Sequence, residues 1–123
     1  MTDVVKSRIL IIEDDESTRH LLEMFVQKLP IKPDVLCADS AENGKRLLSL
    51  NHVDLVVCDY HMGDDFGTDV LEYLRDTKSE IPFILYTSEE FPRIPHISYL
   101  KFTYIQKPEV DLLIDEIERQ LQK

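Results

Sequence analysis

Short apolar runs alternate along this chain with longer stretches whose apolar positions recur at helical spacing. Arg8 to Ile12 is almost continuously apolar, the pattern of a strand covered on both faces. Leu21, Leu22, Phe25, Val26 and Leu29 then mark the inward side of a helix that Pro30 stops. Asp34 to Ala38 reads as a second strand. Asp39 and Ser40 are capping residues for a helix turning Ala41, Gly44, Leu47 and Leu48 inward. Val53 to Cys58 is a third strand, and a loop with Gly63 and Gly67 leads into a helix carrying Val70, Leu71 and Leu74. Pro82 opens a fourth strand over Phe83 to Tyr86, and Phe102 to Gln106 makes a fifth. Pro108 begins the last helix, with Val110, Leu113, Ile114, Ile117 and Leu121 inward and Asp111, Asp115 and Glu118 outward.

Strands alternating with helices imply right-handed crossovers and a parallel sheet covered on both faces. Five units in 123 residues fit an α/β, flavodoxin-like, doubly wound sheet in the order 2-1-3-4-5. The chain reads as one domain over 1–123, its core spanning about 7–122. Residues 88–101 must supply everything between the fourth and fifth strands, and they include Pro92 and Pro95. Proline in a helix interior costs about 3 kcal/mol, so the fourth helix is expected to be short or absent.

A hydrophobic fraction of 43% beside 31% charged residues excludes a disordered chain. No apolar run approaches the roughly 18 residues of a membrane span, and residues 1–7 lack a signal-peptide pattern, so a cytoplasmic location is expected. The net charge of −10 disfavours direct contact with nucleic acid or an anionic membrane. Cys37 and Cys58 lie in apolar runs and read as reduced, buried thiols.

In this topology ligands bind beyond the carboxyl ends of the strands, where strand order reverses. Strand one ends in Glu13-Asp14-Asp15, strand three in Asp59, strand four in Thr87-Ser88 and strand five in Lys107-Pro108. Polar residues commonly follow strands, but a carboxylate pair, a lone carboxylate, a hydroxyl and an ammonium on one rim make a chemical constellation.

The runs that carry this constellation are Ile9-Leu10-Ile11-Ile12-Glu13-Asp14 with Arg19 beyond, and Val53-Asp54-Leu55-Val56-Val57-Cys58-Asp59. Met62 and Gly67 follow, then Ile81-Pro82-Phe83-Ile84-Leu85-Tyr86-Thr87-Ser88 and Tyr104-Ile105-Gln106-Lys107-Pro108. From about Arg8 to the end of the last helix, the chain resembles a receiver domain of two-component response regulators, of the single-domain chemotaxis type. The resemblance implies that Asp59 accepts a phosphoryl group from a histidine kinase or phosphotransfer protein. It implies Mg²⁺ held by Asp14 and Asp59 directly, by Glu13 through water and by the backbone carbonyl of His61. Lys107 would meet the phosphoryl oxygens, aimed by a cis peptide bond before Pro108, and Thr87 would hydrogen-bond the bound phosphoryl group. Tyr104 matches the aromatic switch residue that follows that threonine, and equally fits an ordinary half-buried strand aromatic. His61 and Glu89 stand where the family tunes the lifetime of the acyl phosphate.

The chain departs from the family pattern at three places. His61 replaces a residue that is often Asn, Gly63 replaces a usual proline and predicts a looser loop, and 88–101 predicts an unusual output face. The leading expectation is a phosphorylation-switched signalling domain with no output domain, acting by protein contact through the fifth strand and last helix. It would not be an enzyme beyond self-phosphorylation and slow self-dephosphorylation. A phosphorylation-independent interaction module of the same fold is the alternative. A haloacid-dehalogenase-like phosphatase fits poorly, because His61 stands where that family needs a second Asp.

Overall fold

Residues 6–90, 92–94 and 101–122 are described in a computed structural model of the chain. The elements run β1 (Arg8–Ile12), α1 (Glu16–Gln27), β2 (Asp34–Ala38), α2 (Ala41–Leu50), β3 (Leu55–Cys58), β4 (His61–Met62), β5 (Asp65–Phe66), α3 (Gly67–Asp76), β6 (Phe83–Thr87), β7 (Phe102–Gln106) and α4 (Val110–Leu121). The five long strands form one parallel sheet in the order β2-β1-β3-β6-β7. Counting those strands alone, this is the expected flavodoxin-like order 2-1-3-4-5.

Side chains alternate across a strand, so the apolar run of β1 feeds two cores at once. Leu10 and Ile12 pack with Ala41, Val70, Leu71 and Leu74 under α2 and α3. Ile9 and Ile11 pack with Leu22, Val26, Leu113 and Ile117 under α1 and α4. The first helix turns a narrower face inward than its apolar stripe predicts. Leu22, Val26 and Leu29 are buried, whereas Leu21 and Phe25 stay 49% and 36% exposed. These two sit on the flank of α1, where with Tyr86, Pro108 and Val110 they line a groove of about 340 Å³. Ser40, one of the two expected caps, accepts the Asn43 N–H at the start of α2, and Asp15 accepts the Thr18 N–H at the start of α1.

Among the described residues there are four helices, none of them between β6 and β7. The expected short or missing helix there falls largely on 95–100, outside the described residues. The loop after Asp59, where Gly63 predicts looseness, instead closes a small hairpin. Met62 pairs with Asp65, leaving Gly63 and Asp64 as a two-residue turn. Gly63 has φ of +59°, as the first position of a type II′ turn requires. The hairpin is fastened to the neighbouring helix because the Asp65 carboxylate accepts the Ala41 N–H at 3.1 Å.

Gly67 is needed for a different reason. A Cβ built there would lie 2.1 Å from the Asp59 carbonyl oxygen and 3.1 Å from the Cys58 sulfur. The start of α3 thus packs backbone to backbone against the end of β3. We expect Gly67→Ala to lower the unfolding free energy by about 1–3 kcal/mol, the usual cost of overpacking, measured by urea titration. An unchanged midpoint would show that α3 does not need this close approach.

Candidate functional site

Backbone hydrogen bonds continue one residue beyond the ends of the strands and fix the rim. Glu13 N–H donates to Ala38 O and Asp59 N–H to Ile12 O, each at 3.0 Å. Lys107 N–H donates to Thr87 O at 2.8 Å. The pleat then decides which way each side chain leaves. Ile12 and Cys58 face α2 and α3, so the next residues, Glu13 and Asp59, leave toward the α1 and α4 side. Ile105 also faces α1 and α4, and Lys107, two residues on, shares that parity. Thr87 has the opposite parity, because Tyr86 packs on the α1 and α4 side.

The result is a tight ionic group. Lys107 Nζ donates to Glu13 Oε1 at 2.8 Å and to Asp59 Oδ2 at 3.1 Å. Glu13 is 2% exposed and Asp59 9%. Carboxylate oxygens of Glu13, Asp14 and Asp59 all lie within 4.8 Å of one another, with Asp14 exposed at the mouth. Burial, together with the charge of Asp59, pushes the Glu13 carboxyl above its ordinary pKa although the Lys107 hydrogen bond opposes the shift. Burial works against the Lys107 ammonium as well. Its hydrogen bonds and attraction to Glu13 and Asp59 outweigh that penalty and hold its pKa above the usual value.

Three carboxylates facing one ammonium leave two negative charges in excess. The donor set is all hard oxygen and opens to solvent through Asp14, which suits a small divalent cation better than a soft one. Among the described residues no histidine or cysteine belongs to the group. His61 is exposed, and its ring lies edge-on to Phe66 at 5.0 Å between centroids.

The remaining predicted residues lie on β6, on the loop that follows it and on β7. Thr87 is buried, and its hydroxyl accepts the Glu89 N–H at 3.2 Å. Tyr104 is 37% exposed and its hydroxyl donates to the Glu89 carbonyl at 2.6 Å. Thr87, Glu89 and Tyr104 are therefore joined through one loop. The Lys107–Pro108 peptide bond is cis. Cys58, on the opposite face from the Asp59 side chain, is a free buried thiol that donates to the Asp59 carbonyl, and burial raises its pKa well above the usual value. Cys37 is also free, its thiol pushed up to about 11 by burial and by the nearby Glu23 carboxylate.

Sequence reasoning missed several supporting groups. Tyr60 N–H donates to Asp59 Oδ1 at 2.7 Å, and Asp15 N–H donates to Glu13 Oε2 at 3.2 Å. Arg19 Nη1 donates to the Glu13 carbonyl at 2.8 Å. Two of these three donors are main-chain N–H groups, which leave no mark on residue identity. Arg19 stands in the family pattern, but its target is a backbone oxygen that only the folded chain reveals.

The pattern of the response regulator receiver domain matches residues 9–118. Among curated relatives, the autoinducer 1 sensor kinase/phosphatase LuxN of Vibrio harveyi is 28% identical over 101 residues, covering 81% of this chain and 12% of that protein. The cell cycle transcriptional regulator CtrA of Caulobacter vibrioides is 32% identical over 78 residues, covering 63% of this chain and 33% of that protein. The chain therefore spans less than half the length of either relative. Response regulator protein TrrA of Thermotoga maritima, in complex with Mg(2+)-BeF, shares the fold with a TM-score of 0.81 at 23% identity, covering 94% of this chain and 99% of that one. The receiver domain of Francisella response regulator 1452 gives a TM-score of 0.80 at 19% identity, covering 95% of this chain and 98% of that one. With the family pattern running from β1 into α4 and its acidic group and lysine gathered on one rim, the chain belongs to the response regulator receiver domain family.

Proposed function

We propose that this chain is a phosphorylation-switched signalling domain whose acceptor is Asp59. The observation that carries the proposal is the bridge from Lys107 to both Glu13 and Asp59 within a group of three carboxylates. An ammonium already bonded to the acceptor oxygen stands where an incoming anion needs charge relief. The partner is a histidine kinase or a phosphotransfer protein bearing phosphohistidine. An Asp59 carboxylate oxygen attacks phosphorus, an O–P bond forms, and the P–N bond to the donor histidine breaks.

Each neighbour has a task in that transfer. Tyr60 N–H and Lys107 fix the two oxygens of Asp59, so the nucleophile arrives oriented. Lys107 moves its hydrogen bonds from the carboxylates to the phosphoryl oxygens as a compact point charge. Thr87, which now accepts from Glu89, still has its hydroxyl proton to donate to the bound phosphoryl group. Its turn toward that group alters the loop that Tyr104 grips at Glu89, which makes Tyr104 the switch aromatic.

Mg²⁺ would fit the oxygen donors of Glu13, Asp14 and Asp59; Asp14 and Asp59 would hold it directly, Glu13 would act through water, and the His61 main-chain carbonyl would add a further oxygen. When bound, the ion neutralises charge on the carboxylates and on the phosphoryl oxygens. His61 and Glu89, at the positions where the family tunes the acyl phosphate, set its lifetime. The domain turns over no external substrate, and its own slow dephosphorylation resets it. It works in the cytoplasm and signals by contact with a downstream protein, not with nucleic acid or membrane.

Incubation with acetyl phosphate and millimolar Mg²⁺ should add one phosphoryl group by intact-mass spectrometry, and Asp59→Ala should add none. Identical masses for the two proteins would refute the acceptor assignment. Mg²⁺ at about tenfold over its dissociation constant should stabilise the fold by about 1.4 kcal/mol, read as a raised thermal midpoint. Asp14→Asn should abolish most of that rise. A wild-type midpoint indifferent to Mg²⁺ would remove the metal from the proposal.

A further inference from the structure

Tyr60 occupies the position directly after the acceptor and makes a contact that no site residue requires. Its hydroxyl accepts the backbone N–H of Arg93 at 3.2 Å, across a separation of 33 residues. Its ring packs on the core beneath α2 and α3, as does Ile94. It also lies edge-on to Phe66 at 5.6 Å between centroids. At its other end the main-chain N–H of Tyr60 holds Asp59 Oδ1 at 2.7 Å. One residue thus joins the nucleophile to the stretch after β6 through a stiff, packed ring.

We propose that Tyr60 is a positioning residue that tethers the Asp59 carboxylate to residues 92–94, so that phosphorylation is read out in that stretch as well as through Thr87. The inference rests on the acceptor reading of Asp59. The N–H of Tyr60 now donates to an ionised carboxylate, a charge-assisted bond. Formation of the acyl phosphate moves that charge from the carboxylate to the phosphoryl oxygens and weakens the bond. Tyr60 then relaxes away from Asp59, and its ring, wedged between Phe66 and the core, carries the shift to the hydroxyl that holds Arg93. By reciprocity, a partner that grips 92–94 changes the affinity of the site for its phosphoryl group by the same factor.

Amide hydrogen exchange, read by NMR on the full chain, tests this in wild type and Tyr60→Phe, with and without beryllofluoride plus Mg²⁺. The phenylalanine ring keeps the packing and removes only the hydroxyl. Without the mimic, Arg93 should exchange about three- to tenfold faster in Tyr60→Phe, the loss of one neutral hydrogen bond. In wild type the mimic should change Arg93 exchange, and in Tyr60→Phe that response should vanish. Equal Arg93 exchange in the two mimic-free proteins, or an undiminished response in the variant, would overturn the tether. The wild-type arm is informative whatever the stability of the variant. If the Thr87 and Lys107 amides respond to the mimic while Arg93 does not, the tether fails and the acceptor reading stands. If none of the three responds, both fail.

Discussion

Glu13 and Asp59 are two carboxylates almost removed from water, and Lys107 holds both. Taking such charges out of solvent costs several kcal/mol per ion unless partners replace the water. The site therefore exists only while three strands hold their relative register. β1 brings Glu13, β3 brings Asp59, and Lys107 follows β7, whose bonds to β6 place it. A slip of one residue in any of them would reverse the side-chain parity and send a charged group into the opposite core. The geometry of the ionic group and the sheet register are in this sense one constraint.

That constraint also explains the local balance of charge. Structurally the ammonium satisfies both carboxylates, and Glu13 is nevertheless held above its ordinary pKa by burial and by Asp59. The group is short of positive charge even with Lys107 in place. Apolar residues of similar volume would often be as stable here, so stability alone does not account for the arrangement. The excess of negative charge is what makes a divalent cation fit, and the same excess makes a bare site resist an anionic donor.

Much of this was legible in the sequence, because strand ends are marked by where apolar runs stop. Glu13, Asp59, Thr87 and Lys107 each follow such a run, and the strand order then fixes their meeting. What was not legible is carried by backbone or by empty space. Tyr60 and Asp15 act through main-chain N–H groups that every residue but proline owns. Gly67 was visible as a loop glycine, but its close approach to the Asp59 carbonyl appears only when α3 is docked. A glycine in place of proline suggests a looser loop, whereas the positive φ of Gly63 suits a type II′ turn that closes His61–Met62 onto Asp65–Phe66. The inward face of α1 was overestimated because an apolar stripe records what avoids water on average, while Leu21 and Phe25 lie past the edge of what the sheet covers.

The net charge of −10 and the proposed role of phosphoryl acceptor pull in opposite directions. At physiological ionic strength charges are screened over about 8 Å, so the acidic surface acts on a donor mainly at approach and much less at the buried group. Inside that range the balance is set by Lys107, by the oxygen cage and by the donors aimed at Asp59. On the proposed reading, an anion is repelled by the protein as a whole and accepted at one point, where a partner surface brings it. Free phosphate esters carry no such surface, whereas a phosphohistidine is presented by one. An acidic surface of this kind slows the approach of small anions more than that of a donor carried on a complementary protein surface, which is what the proposed transfer from a docked partner needs.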